Sequence, residues 1–158
     1  MIQKAARIML EAKRVCVFTG AGISVESGIP PFRGKGGLWN QYNPEFIEIG
    51  YFHRHPQQSW QLIKEIFYDF FGQAVPNDAH RAIASLEKQG IVKSVITQNI
   101  DNLHQDAGSK VVHEFHGTAS RLVCLDCHKT FTVKQISFEK LPPECPNCVV
   151  GRIKPDFI

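Results

Sequence analysis

Cys124, Cys127, Cys145 and Cys148 stand in the spacing C-x2-C-x17-C-x2-C, and nothing else in the chain limits its fold as strongly. Two residues between ligands let one tight turn aim both thiolates at a single point. The longer spacer brings the chain back so that the second pair completes a tetrahedron, with Zn–S near roughly 2.3 Å. Four thiolates fill such a site and leave no position for water, so the zinc predicted here is structural. Its binding is worth on the order of 10–16 kcal/mol, more than so short a module could draw from its own core. Cys124-Leu125-Asp126-Cys127-His128 also matches the C-x-x-C-H haem-attachment pattern, but haem would leave Cys145 and Cys148 unexplained. A redox C-x-x-C is disfavoured because there are two such pairs at zinc spacing. The fifth cysteine, Cys16, falls in the β-prone run Val15 to Thr19 and is expected to be a small buried hydrophobe.

The remaining composition narrows the partners. The 158 residues carry a formal charge of +3, with 43% hydrophobic and 21% charged residues, as in a globular protein of one ordinary domain with a small insertion. The densest basic stretch, Arg121 to Lys134, is interrupted by Asp126 and apolar residues. Nucleic acid is therefore not the expected partner, since it calls for cations gathered on one face. No stretch reaches the roughly 18 apolar residues of a membrane span, and Met1 to Glu11 has no signal-peptide pattern. A cytoplasmic location is the default, and cysteines there stay reduced unless a metal binds them.

Ile2, Ala5, Ala6 and Met9 recur at helical spacing, which predicts a short opening helix. Val15 to Thr19 reads as a buried strand and Gly20 to Asn40 as a long loop. Pro56 to Phe71 is helical in pattern. Asn77 or Asp78 caps a further helix with the apolar stripe Ala79, Ala82, Ile83 and Leu86, ended by Gly90. Ile91 to Thr97 and Val111 to Phe115 are two more strands. Strands alternating with helices predict an α/β fold, a partial Rossmann-like parallel sheet, whose ligands bind beyond the carboxyl ends of the strands. Three polar clusters stand at those ends: Gly20 to Ser24, Gln98 to Asp101, and His116-Gly117. The expected division is residues 1–118 for the N-terminal part of the sheet domain, 119–151 for the inserted four-cysteine zinc-binding module, and 152–158 for the start of a return to the large domain.

Gly20-Ala21-Gly22-Ile23-Ser24 follows a strand, where glycines let backbone N–H groups approach a phosphate. The dinucleotide pattern G-x-G-x-x-G breaks at Val25, so this segment alone is a weak signal. The wider string from Gly20 through Pro30-Pro31-Phe32-Arg33 to Gly34 resembles the cofactor loop of the sirtuin family of NAD-dependent protein deacylases. Thr97-Gln98-Asn99-Ile100-Asp101, running on to Gly108, is similar to the family's second motif. His116-Gly117 resembles its third, and the two C-x2-C pairs its zinc module. All four occur in family order.

The resemblance implies an NAD-dependent protein-lysine deacetylase that moves the acetyl group to ADP-ribose and releases nicotinamide, with an acetylated protein or peptide as partner. It implies cofactor-binding roles for Gly20, Ala21, Gly22, Ser24, Ile29, Phe32, Arg33, Gln98, Asn99, Ile100, Asp101 and His116, and catalytic roles for His116 and Asn99. Ala21, Gly22 and Arg33 would face the pyrophosphate, and Phe32 would cover the nicotinamide pocket. Ile29, Asn99 and Asp101 would line that pocket, with Asp101 accepting from the carboxamide. Gln98 would approach the ribose, and His116 would be the general base, a task suited to a pKa near 7.

On the helix after the cofactor loop, some sirtuins carry a Tyr and an Arg that hold acidic acyl groups. Trp60 and Ile63 stand at the matching positions here, which implies a preference for neutral acyl chains. Pro31 replaces the family's usual Asp, removing a carboxylate and a backbone N–H. Sirtuins also continue past the point where this chain stops, so a further segment or a partner is expected to complete the sheet and the NAD site. The alternative is a non-catalytic zinc-stapled binding module on the same scaffold.

Overall fold

The structure is a computed structural model that describes residues 1–148 and 150–157. Helix α1 (Ile2–Glu11) leads into strand β1 (Val15–Thr19). A 3-10 helix (Ala21–Ser27) follows at once and ends on Gly28, whose φ of 89° is the left-handed conformation of a glycine cap. The segment expected to be loop from Gly20 to Asn40 thus contains this helix and a second 3-10 turn, Leu38–Asn40. Helices α2 (Ile49–Arg54) and α3 (Pro56–Ile63) come next. The helix predicted from Pro56 to Phe71 is not uniform: Lys64–Phe70 is a π-helix, and Phe71–Gln73 closes it as a 3-10 turn. Helix α4 (Asp78–Lys88) starts as expected on Asn77, whose side chain accepts from the Ala79 and His80 N–H groups in a capping box.

Strands β2 (Val92–Thr97) and β3 (Val112–Glu114) flank the short helix α5 (Leu103–Asp106). β1, β2 and β3 form one parallel sheet in that order, with Val17 opposite Val95 and Val95 opposite Val112. A second, antiparallel sheet runs β5-β4-β6, from β4 (Gly117–Cys124), β5 (Thr130–Thr132) and β6 (Ile153–Phe157). The predicted α/β architecture with a parallel sheet and a cysteine module is therefore present.

One expectation is corrected. The β-prone run of β1 predicts a buried strand with Cys16 as a core hydrophobe, yet Cys16 is exposed and Phe18 is 61% exposed. Parallel strands need cover on both faces. Among the described residues β1 is an edge strand, and α1, which carries exposed Ile2, Ile8 and Leu10, buries no residue.

The main core lies elsewhere, between α2, α3 and the second sheet. Phe52, Trp60, Ile63, Ile66, Leu122 and Ile153 are all buried there. Two side chains bridge the helical segment to the module. Trp60 Nε1 donates to Ile153 O at 2.7 Å, and Tyr68 Oη donates to Ala119 O at 3.1 Å. Burial raises the Tyr68 pKa well above the usual phenol value, so this donor keeps its proton.

Candidate functional site: a cleft at the strand ends and a four-cysteine knuckle

A cavity of about 430 Å³ opens at the carboxyl ends of β1 and β2. Ala21, Phe32, Arg33, Gln98, Asn99, Ile100 and His116 line it, so residues from all three polar clusters meet in one space. Gly22 is not among the lining residues, although it is exposed beside Ala21.

Gly20, Ser24, Ile29 and Asp101 lie behind that wall. Asn99 Nδ2 donates to Gly20 O at 3.2 Å and to Ser24 Oγ at 3.1 Å, while Ser24 Oγ donates to Asp101 Oδ2 at 2.6 Å. The other oxygen of Asp101, Oδ1, accepts from the Leu103 N–H at 3.0 Å and caps α5. Both carboxylate oxygens are thus engaged inside the protein. Ser24 and Ile29 are buried. Asn99 is itself held from below, because its N–H donates to Thr97 Oγ1, which accepts from Thr19 Oγ1 at 2.9 Å.

The segment from Pro31 to Trp39 folds back on itself. Pro31 O accepts from Leu38 N at 2.8 Å, and Phe32 O accepts from Trp39 N at 3.0 Å. The rings of Phe32 and Trp39 lie 5.2 Å apart. Gly37 is required at this closure, since a Cβ there would approach Arg33 Cα to 2.9 Å. Proline at position 31 is compatible with the fold: its carbonyl is used, and its side chain becomes part of the cavity wall.

His116 sits in the turn between β3 and β4 and is exposed. Gly117 follows at φ 81°, where a Cβ would strike the backbone of Asp156. His116 is thereby held where the parallel sheet hands over to the second sheet. It also lines a groove of about 620 Å³ on its other side, together with Ile47, Glu48, Ile49, Phe115, Lys154 and Phe157. Ile47, His116 and Phe157 are common to cavity and groove and form the partition between them.

Residues that the sequence reading missed are mostly apolar: Trp39, Ile47, Phe67 and Phe157. Trp60 and Ile63, expected to face the acyl group, do not line the cavity. Both are buried, with Trp60 turned to Ile153 O. The residue from that helical segment that reaches the cavity is Phe67, within the π-helical turn. A π turn shifts the face a residue presents, and helical periodicity does not reveal it.

The four cysteines converge in the module. All their Sγ atoms lie within 4.8 Å of one another, with Cys124–Cys148 and Cys127–Cys145 at 3.7 Å. Tetrahedral zinc thiolates at roughly 2.3 Å require sulfurs about 3.8 Å apart, so the set fits the ion. Backbone donors face the sulfurs: Cys127 N donates to Cys124 Sγ and Asn147 N to Cys145 Sγ, each at 3.4 Å. The N–H of Lys129 is the main cause that pulls the Cys127 thiol down to about 6, whereas burial pushes Cys148 up to about 12. Gly151 closes the knuckle, because a Cβ there would run into Cys124 Sγ and Cys148 Sγ. This contact was not foreseen from the sequence.

A parallel α/β sheet with a loop-lined cleft at its carboxyl ends, joined to a four-thiolate knuckle, defines a class of ligand-binding α/β proteins with a structural metal module. Within that class the chain belongs to the Sir2 family, whose model matches residues 20–158. It is 50% identical to NAD-dependent protein deacylase 2 of Archaeoglobus fulgidus, over 99% of this chain and 63% of that one. It is 44% identical to the NAD-dependent protein deacetylase of Sulfurisphaera tokodaii, over 98% of this chain and 62% of that protein. A solved Sir2 structure with a p53 peptide and NAD+ superposes with a TM-score of 0.87 at 38% identity, covering 100% of this chain and 64% of that one. The chain therefore spans about 63% of the length of such relatives.

Proposed function

We propose that the chain forms the N-terminal part of an NAD-dependent protein-lysine deacetylase. The observation that carries this reading is the meeting of Phe32, Arg33, Gln98, Asn99 and His116 in one cavity, which shares His116 with an open groove. Bound NAD would supply an anomeric carbon activated by its nicotinamide leaving group. The chain's residues bind, shield and move protons around it. Half-buried Ala21 and exposed Gly22 open the first turn after β1, where backbone N–H groups suit a pyrophosphate, and Arg33 at the cavity wall adds charge. Phe32, held against Trp39, screens the reacting centre from water. Gln98 suits the ribose edge.

The Asn99–Ser24–Asp101 network keeps the floor polar and fixed, with Ile29 and Ile100 as its apolar part. Asn99 is the member of this network that reaches the cavity. An acetyl-lysine entering from the groove passes Ile47 and Phe157 to reach the cavity, and His116, at that threshold, is placed to accept a proton from a ribose hydroxyl. The walls next to the threshold are Trp39, Ile47, Phe67 and Phe157, so an uncharged acyl group suits them better than a carboxylate, whose desolvation is costly.

In this reading residues 1–118 belong to the NAD-binding domain, 119–151 to the zinc module, and 152–158 begin the return. Four thiols kept for a metal favour a reducing compartment such as the cytoplasm. In the protein at its full natural length, His116→Ala should abolish acetyl-peptide turnover while leaving NAD affinity within about two-fold, read by calorimetry and a deacetylation assay. Undiminished turnover in that variant would defeat the assignment. A succinyl peptide processed faster than an acetyl one would defeat the neutral-acyl reading.

A further inference from the structure

The groove beside His116 has a walled, mostly apolar surface with an uneven charge. Ile49 and Phe115 are 53% and 64% exposed in it, and Val123, Leu125 and Pro155 complete the apolar lining. Three charged side chains also line it: Glu48, Lys154 and Asp156.

Lys154 is turned away from solvent. Its Nζ donates to Pro155 O at 3.2 Å and Phe157 O at 2.6 Å and lies over the Phe157 ring. Asp156 is compensated, because Arg121 Nε donates to its Oδ2 at 2.5 Å. Arg152, just before β6, is engaged by Asp126 and by His53 Nδ1. Glu48 remains. It is exposed, and among the described residues no cation lies within ion-pair distance of its carboxylate.

We propose that Glu48 makes this groove select acyl-lysines flanked by basic residues, so that the substrate class is a lysine acylated within a basic, partly apolar protein segment. The proposal rests on the deacetylase reading for the acyl-lysine itself, and on the groove alone for the flanking charge. A peptide laid along the groove brings its neighbouring side chains past Ile49 and Phe115, where Glu48 is, among the described residues, the solvent-exposed charge without an ion-pair partner, Lys154 being buried against backbone carbonyls. An Arg or Lys there gains an attraction, and an Asp or Glu meets a like charge. For a partly exposed pair this amounts to about a five-fold difference in affinity at low salt, shrinking as ionic strength rises.

The test uses the protein at its full natural length and labelled acetyl-lysine peptides with Arg, Ala or Glu beside the modified residue. Binding is read by fluorescence anisotropy, and NAD-dependent deacetylation of the Ala peptide is followed separately. The expected result is about five-fold tighter binding of the Arg than the Glu peptide. That ratio should approach one in Glu48→Gln and reverse in Glu48→Lys. A ratio near one in the unaltered protein, or one unmoved by Glu48→Lys, overturns the inference even when the Ala peptide is deacetylated. An Arg preference that obeys Glu48 without any deacetylation upholds the groove and removes the catalytic reading. No peptide binding at all overturns both.

Discussion

Acidification from pH 7.5 to 5.5 should destabilise the fold by up to about 3 kcal/mol through two buried histidines. His80 and His104 are fully buried, and their rings meet edge-on with centroids 4.9 Å apart. His80 Nδ1 pairs with the Asn77 cap, and His104 Nε2 pairs with Thr19 Oγ1 at 2.9 Å. The remaining ring nitrogens, His80 Nε2 and His104 Nδ1, have no partner among the described residues. Burial lowers the pKa of both below 6.5. The charge of Arg81 adds to this at His80 and the neighbouring ring adds to it at His104, while Asp101 opposes it at both.

A depressed histidine pKa means that the unfolded chain binds protons the folded chain does not. No stability is lost above the unfolded value of 6.5, and loss begins as the pH falls through it. With an unfolded pKa near 6.5, a histidine that stays neutral in the fold costs about 1.4 kcal/mol at pH 5.5, and two cost about 2.8 kcal/mol as an upper bound. Urea unfolding at the two pH values reads the difference. The double variant His80→Gln/His104→Gln should lose most of that pH slope, whatever its stability at pH 7.5. An unchanged slope in the double variant would refute the argument, because the titration would then belong to other groups.

Cys145→Ala and Gly151→Ala should both lower the zinc content of the purified protein, the first by removing a ligand and the second by forcing a methyl group against Cys124 and Cys148. One zinc per chain retained in either variant, measured by metal analysis, would count against the knuckle. Trp60→Phe should destabilise the fold by about 1–3 kcal/mol in denaturant titration, since it keeps the ring but leaves the buried Ile153 carbonyl without its donor. A loss below about 0.5 kcal/mol would mean that this bridge between α3 and β6 is of little consequence.

What was legible in the sequence had a local signature. The Asn77 cap, the β2 run and the cysteine spacing each follow from neighbours a few residues apart, and each is found where it was read. The cavity's polar residues were legible because the parallel sheet places its strand ends side by side, so motifs separated by almost eighty residues, such as Ala21 and Gln98, meet without any contact having to be foreseen. The apolar walls were not legible. Phe67 is one aromatic among several between Phe67 and Phe71, and only the π turn singles it out. Cys16 was misjudged for a related reason. A β-prone run reports pairing, whereas burial depends on what covers the strand, and α1 does not cover that face.

The zinc knuckle bears on the site although it lies outside the cavity. β4 begins at Gly117, next to His116, and ends at Cys124, one of the four clustered thiols. β6 pairs with both ends of β4, Phe157 opposite Gly117 and Ile153 opposite Cys124. Gly117 tolerates no Cβ because Asp156 crosses it, and Gly151 tolerates none because Cys124 and Cys148 do. A glycine with no room for a Cβ thus stands near each end of this strand pair, one beside the histidine and one at the cysteine cluster. Phe157 lines the cavity from that same pair, and Trp60 ties Ile153 to α3. Loss of the metal should loosen β4 and β6 together, and with them the partition formed by Ile47, His116 and Phe157. A metal-free protein that keeps its α/β sheet should accordingly lose peptide binding before it loses the helical signal of α3 and α4.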